Sequence, residues 1–106
     1  MTVRELSEIL SLTLLEPEED RLVSRVFCCD LLSIAMAKAP EDCAWVTVIG
    51  NANAVAVASL TDAACIILAE GYSFDEAALT AAKGKIALLK SDKPVYETAA
   101  SIGALL

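Results

Sequence analysis

The apolar positions of this chain switch repeatedly between helical and strand-like spacing. "TVRE" at residues 2–5 has the form of a capping box, with Thr2 able to accept from the backbone at Glu5 and Glu5 able to reach back. Leu6, Ile9 and Leu10 then fall on one face, which predicts a first helix. "SLTLL" at 11–15 reads as a short strand, and "EPEED" at 16–20 as a charged, proline-marked loop. "VFCC" at 26–29 is an apolar run too short for a helix; Asp30 follows in a capping position and a second helix is expected over 31–37. "AWVTVI" at 44–49 is rich in β-branched and aromatic residues and is broken by Gly50 and Asn51, so it reads as a strand.

"NAVAVASLT" admits two readings. Its Ala/Val alternation suits a strand, whereas Asn53 as a cap and the need for a crossover favour a helix, which is the reading adopted. "ACIILA" at 64–69 is a strand ended by Glu70 and Gly71. Ser73 with Glu76 has the form of a second capping box, opening a helix that Gly84 closes. "KIALL" at 85–89 is the last strand, and Asp92 and Pro94 start a final helix with Val95, Ala99, Ile102 and Leu106 at helical spacing.

Strands with nearly continuous apolar runs, each followed by a helix-sized segment, are those of a sheet covered on both faces. The expected fold is α/β: a parallel sheet of about five strands sandwiched between helices, in a single domain spanning residues 1–106. No internal repeat, low-complexity tract or linker interrupts it.

Composition narrows the function classes. Eight basic against fifteen acidic residues give a net charge of −7, which opposes binding to phosphate backbones or anionic lipid. No nucleic-acid partner and no membrane association are therefore expected. The uncharged stretch 43–61 approaches the length of a bilayer span, but Gly50, Asn51 and Asn53 interrupt it and its alanines are weakly lipophilic, so it reads as protein interior. Acids in "MTVRELSEIL" occupy the place of a signal peptide's apolar core, and a cytoplasmic protein is expected. The cysteines at 28, 29, 43 and 65 show no C-x-x-C spacing and are read as free thiols.

The chain resembles the DRTGG domains. Asp20 and Arg21 stand where that family carries its name motif, with Leu22, Val23 and Ser24 in the places of Thr, Gly and Gly. "CCDLLSIAMAKA", "WVTVIGNANAVAVASLTDAACIILAEG" and "KIALLKSD" are similar to the rest of such domains, over essentially the whole length. The resemblance implies a divergent stand-alone member with the fold of the amino-terminal domain of HPr kinase/phosphorylase, and a regulatory or ligand-sensing role. It carries no kinase activity here, because the chain has no G-x-x-x-x-G-K-[ST] to cradle phosphates.

Each candidate site residue has a structural reading beside the functional one. Cys28 and Cys29 are either a reactive thiol pair or small hydrophobes completing a strand. Adjacent strand residues point to opposite faces and the chain has no histidine, so no metal site is expected and the strand end is favoured. Cys29, at the carboxyl edge, is the better placed of the two. Asp30 is a ligand contact or, preferentially, the cap of the second helix. Asn51 and Asn53 flank a strand end, where open parallel sheets place ligands, and serve equally well as turn and cap. Gly71, with Tyr72 beside it, and Ser91, with Asp92 beside it, follow the next two strands with the same ambiguity. Arg21, near Arg25, is the place for an anionic ligand, with an ion pair to the acidic loop as its alternative.

No catalytic residue and no cofactor are expected. The sequence favours a non-catalytic regulatory or ligand-sensing module, acting as a homodimer that binds a small anionic ligand or a protein partner. Its alternatives are an interaction domain without ligand and a thiol-based redox sensor using Cys29, which would lack a histidine base.

Overall fold

The computed structural model of the protein describes residues 1–16 and 20–106; the greater part of the acidic loop expected at 16–20 therefore lies outside the described residues. Five strands, β1 (Thr13–Glu16), β2 (Arg25–Cys28), β3 (Cys43–Thr47), β4 (Cys65–Leu68) and β5 (Ala87–Lys90), form one sheet in the order β1-β5-β4-β3-β2. The four strands β2 to β5 are parallel, and β1 joins the β5 edge antiparallel, with Thr13 opposite Lys90. The α/β expectation holds, corrected in one respect: the sheet is mixed. "SLTLL" precedes β2 without a crossover helix, so its strand is free to pair antiparallel at the far edge.

Five helices cover the sheet: α1 (Val3–Ile9), α2 (Leu32–Lys38), α3 (Ala52–Leu60), α4 (Glu76–Ala82) and α5 (Val95–Gly103). Because β2, β3, β4 and β5 are laid down side by side in sequence order, right-handed crossovers place α2, α3 and α4 on the same face. There Ala35, Ala54, Ala58, Ala78 and Ala82 pack on Trp45, Ile66, Leu68 and Leu88. The small alanines let three helices lie close over one bulky row. On the other face Val3, Leu6 and Ile102, from α1 and α5, meet Val46, Ile67 and Leu89. Period-two alternation along β3, β4 and β5 thus feeds both layers, and each fully buried large side chain contributes about 1.5–3 kcal/mol.

The capping box of α1 forms as expected: Glu5 N–H donates to Thr2 Oγ1 (3.1 Å) and Thr2 N–H to Glu5 Oε1 (3.0 Å). "NAVAVASLT" is helical, but its cap is Asn51, whose Oδ1 accepts from Ala54 N–H at 3.0 Å; Asn53 lies inside the first turn. A cap two residues earlier than Asn53 shortens the connection to β3. The expected box of Ser73 and Glu76 does not form. Asp75 caps α4 through Ala78 N–H (2.8 Å), and the Ser73 hydroxyl instead accepts from Lys90 Nζ (3.2 Å). Gly84 follows α4 at φ +72°, the left-handed conformation a helix end favours. Asp30 does not cap α2: Leu31 occupies the cap position with no side-chain bond. Leu106 falls beyond the end of α5 and is exposed. No helix among the described residues is long and apolar enough to cross a membrane.

Candidate functional site

Parallel strands point their carboxyl ends the same way, so the loops leaving β2, β3, β4 and β5 share one edge. That edge gathers six of the seven site residues expected from sequence: Cys29, Asp30, Asn51, Asn53, Gly71 and Ser91. Arg21 belongs to the opposite edge. Its guanidinium pairs with Asp42 and, at 3.0 Å, with Asp62, and it also donates to the carbonyls of Asp62 (3.2 Å) and Ala63 (3.1 Å). These groups immediately precede β3 and β4. The arginine is therefore committed within the fold, and among the described residues its ion pairs are with these turns. Partial burial opposes its charge, but the hydrogen bonds and charges of Asp42 and Asp62 outweigh burial and raise its pKa. The carboxylate oxygens of Glu41, Asp42 and Asp62 lie within 4.8 Å of one another, a convergence that Arg21 offsets.

At the β2 end, Cys28 is exposed and Cys29 half-buried. Burial, followed by the nearby charge of Asp30, pushes the Cys28 thiol pKa up. Cys29 contributes its carbonyl to the indole Nε1–H of Trp45 (2.9 Å), and its thiol donates to the carbonyl of Leu31 (3.3 Å). The pair is thus a strand end, as expected, although Cys28 faces solvent because β2 is an edge strand. Asp30 reaches across to β3: its Oδ1 accepts from the Thr47 hydroxyl (2.8 Å) and from Val48 N–H (3.0 Å). Thr47, completely buried and not singled out in the sequence, could have been found as the one hydroxyl residue within "AWVTVI".

At the β4 end, Glu70 (φ 63°) and Gly71 (φ +72°) form a tight turn closed by Tyr72 N–H to the Ala69 carbonyl. The turn is tied to the β5–α5 loop on every side. Glu70 N–H donates to the Lys93 carbonyl (2.9 Å), Gly71 N–H to the Ser91 carbonyl (3.1 Å), and the Glu70 carboxylate accepts from Val95 N–H (2.8 Å) at the start of α5. Glu70 thus satisfies one of that helix's free amides.

A cleft of about 400 Å³ opens at the carboxyl end of β5. Ile9, Leu10 and Leu12, from the end of α1 and the turn into β1, form one wall; Ser91, Asp92 and Lys93 form another, with Ser11, Thr98 and Ser101 between them. Its floor is fixed by a buried hydroxyl pair, Ser91 and Thr98, 2.8 Å apart, to which Lys93 N–H adds a bond to Ser91 Oγ (3.2 Å). The antiparallel strand creates this wall, because pairing Thr13 with Lys90 sets residues 10–12 beside 91–93. Of the sequence-based candidates Ser91, with Asp92 beside it, lines it.

No protein-family model matches the chain, and neither does any curated protein sequence at a significant level.

Proposed function

We propose that the protein is a non-catalytic regulatory or ligand-sensing module of the DRTGG kind, acting in the cytoplasm as a homodimer. The observation that carries this reading is the position of the cleft. Beyond β4 the chain passes to the face that holds α2, α3 and α4, whereas beyond β5 it passes to the opposite face, with α1. Neighbouring strands whose connections part in this way leave a crevice at their carboxyl ends, the usual place for a ligand in an open α/β sheet. The cleft lies beside that parting, and the Glu70–Gly71 turn is bonded to its Ser91–Lys93 wall. An occupant would therefore bear on the joint between β4 and α5. The anionic ligand that Arg21 was expected to hold loses that anchor, since Asp42 and Asp62 already take the guanidinium.

A second reading, partner binding without a ligand, is supported by Leu31, Ile34 and Met36, which are exposed at and along α2 beside the edge strand β2. The thiol-sensor alternative is the weakest, because Cys29 is half-buried with its thiol donated to the Leu31 carbonyl, and the sequence holds no histidine to serve as its base.

The test is thermal unfolding against nucleotides, phosphorylated sugars, amino acids and divalent ions. A ligand at about a hundred times its Kd adds roughly 2.7 kcal/mol, a shift on the order of ten degrees for a domain of this size. A flat response across the panel moves the reading to partner binding.

A further inference from the structure

We propose that the cleft between the α1–β1 turn and the β5–α5 loop binds a small zwitterion bearing an apolar group, of amino-acid or dipeptide size. The inference rests on the ligand-sensing reading and names its site and ligand class.

Size comes first: about 400 Å³ lies at the low end of small-molecule sites, which run from about 300 to 1,000 Å³. Bonding capacity then selects the chemistry. Of the cleft's hydroxyls, Ser11 has no side-chain bond with a described residue, but Ser91 and Thr98 bond each other, Thr98 also donates to the Lys93 carbonyl at 3.4 Å, and Ser101 donates to the Glu97 carbonyl at 2.9 Å. The Asp92 carboxylate and the Lys93 ammonium are different. Neither has an ion pair or a side-chain hydrogen bond with any described residue, although they are neighbours on one wall of the cleft.

An anion and a cation side by side, neither paired with a described residue, match a ligand carrying both charges. A polyphosphate needs several cations or a nest of backbone amides; here a single lysine stands next to a carboxylate that would repel it. The opposite wall offers Ile9, Leu10 and Leu12, of which Ile9 is 55% exposed, so an apolar substituent on the ligand would cover aliphatic surface now open to water. A ligand carboxylate would meet Lys93, its ammonium Asp92, and its side chain the aliphatic wall.

The test is an amide NMR titration of the full chain with L-leucine, L-phenylalanine and Leu-Leu, each compared with its N-acetyl and methyl-ester derivatives. The expected result is saturable, one-to-one binding by at least one probe, with shifts concentrated on residues 10–12 and 91–93. Masking either charge should weaken binding about tenfold or more, the range for hydrogen bonds to charged groups. Lys93→Gln should abolish the preference for the free acid over the ester, and Asp92→Asn the preference for the free amine over the N-acetyl form. Both side chains are exposed and neither has an ion pair or side-chain hydrogen bond with a described residue, so both variants should fold. Absence of saturable shifts, shifts centred elsewhere, or variants that keep both preferences would overturn the assignment. A nucleotide or sugar phosphate that stabilises the protein while the zwitterions do not would sink the cleft's ligand class and leave ligand sensing standing; silence from every probe would remove both.

Discussion

The Thr47 hydroxyl donates to Asp30 Oδ1 at 2.8 Å, joining the loop after β2 to the last residue of β3. Thr47 is fully buried, and its oxygen also accepts from Ile49 N–H at 3.2 Å. A buried hydroxyl with both donor and acceptor used is inexpensive to keep and costly to remove. Through it, the first loop of the carboxyl edge is held in place by the second.

Thr47→Val keeps the shape and deletes both bonds, stranding the Ile49 amide. It should lower stability by about 1–3 kcal/mol, read from the urea midpoint with the fluorescence of Trp45, the chain's single tryptophan. Asp30→Asn retains an oxygen that can accept from Thr47 and should cost less than Asp30→Ala. If the contact matters, the double variant will be less destabilised than the sum of Thr47→Val and Asp30→Ala.

Arg21 plays the corresponding part at the amino edge, bridging Asp42 (φ 61°) and Asp62 (φ 59°), two left-handed turn residues that precede adjacent strands. The side chain is partly exposed, which limits each ion pair, but it also donates to two backbone carbonyls. Arg21→Met should cost about 1–2 kcal/mol. Arg21→Lys should recover only part, since a single ammonium cannot span both turns as the guanidinium fork does. Chemical denaturation of the three proteins at the same salt concentration checks the order.

The alternation of elements was readable because each strand's apolar run is bounded by polar turn residues and the intervening segments are rich in alanine. What sequence could not supply was the choice among local partners. Asp30, Asn53 and Ser73 each fit a cap by spacing, yet Asp30 is drawn to Thr47, Ser73 to Lys90, and Asn51 precedes Asn53 in reaching the free amides of α3. In each case a tertiary or earlier partner wins over the local pattern. Arg21 was misplaced for a related reason: its aspartates lie 21 and 41 residues away, brought near only by the parallel register of β3 and β4. The cleft depends on β1 pairing antiparallel with β5, which no short-range pattern in "SLTLL" specifies. Six of the site residues nevertheless meet at one edge, because every strand end in a parallel sheet faces the same way.

The capping box gives α1 a pH response of defined sign. Hydrogen bonds from the Thr2 backbone, then from its side chain, lower the Glu5 pKa below its ordinary value. A depressed folded-state pKa means the contribution is present above the unfolded carboxyl pKa and is lost as pH falls through the folded one. The stability gap between the native chain and Glu5→Gln should therefore be open at neutral pH and close in acid. A gap that stays constant from neutral to acid pH would show that the ionised carboxylate is not what caps the helix.

The thiols should label in two groups. Burial pushes Cys43 up to about 11 and Cys65 up to about 12, the latter helped by its neighbour Cys43, so neither supplies thiolate near neutrality. Iodoacetamide at mildly alkaline pH should modify Cys28 and Cys29 first, Cys28 more slowly than a free thiol, and reach Cys43 and Cys65 only on unfolding. For the two buried thiols the folded pKa exceeds the unfolded one. Their contribution is complete below the ordinary thiol pKa of about 9 and declines as pH rises toward about 12 for Cys65. Mass spectrometry of native and denatured samples separates the groups; native labelling of Cys65 would contradict its burial.

Gly50 sits where the loop leaving β3 presses on the loop leaving β4. A Cβ built there would lie 3.0 Å from Leu68 Cδ2, 3.0 Å from the Ser73 carbonyl oxygen and 3.3 Å from Phe74 Cα. Leu68 can yield by changing rotamer, but the backbone at Ser73 and Phe74 cannot move without disturbing the bond from Asp75 N–H to the Gly50 carbonyl, 3.0 Å long, beside the start of α4. Gly50→Ala should therefore cost about 1–3 kcal/mol, as overpacking does, despite the smaller backbone entropy that alanine loses on folding. Gly103, whose Cβ would meet nothing within 4 Å and which is the last residue of α5, supplies the control. Gly103→Ala should raise stability by about 0.5–1 kcal/mol through helix propensity. Opposite signs for the two substitutions in one denaturation series would tie the Gly50 cost to close contact between the two carboxyl-edge loops.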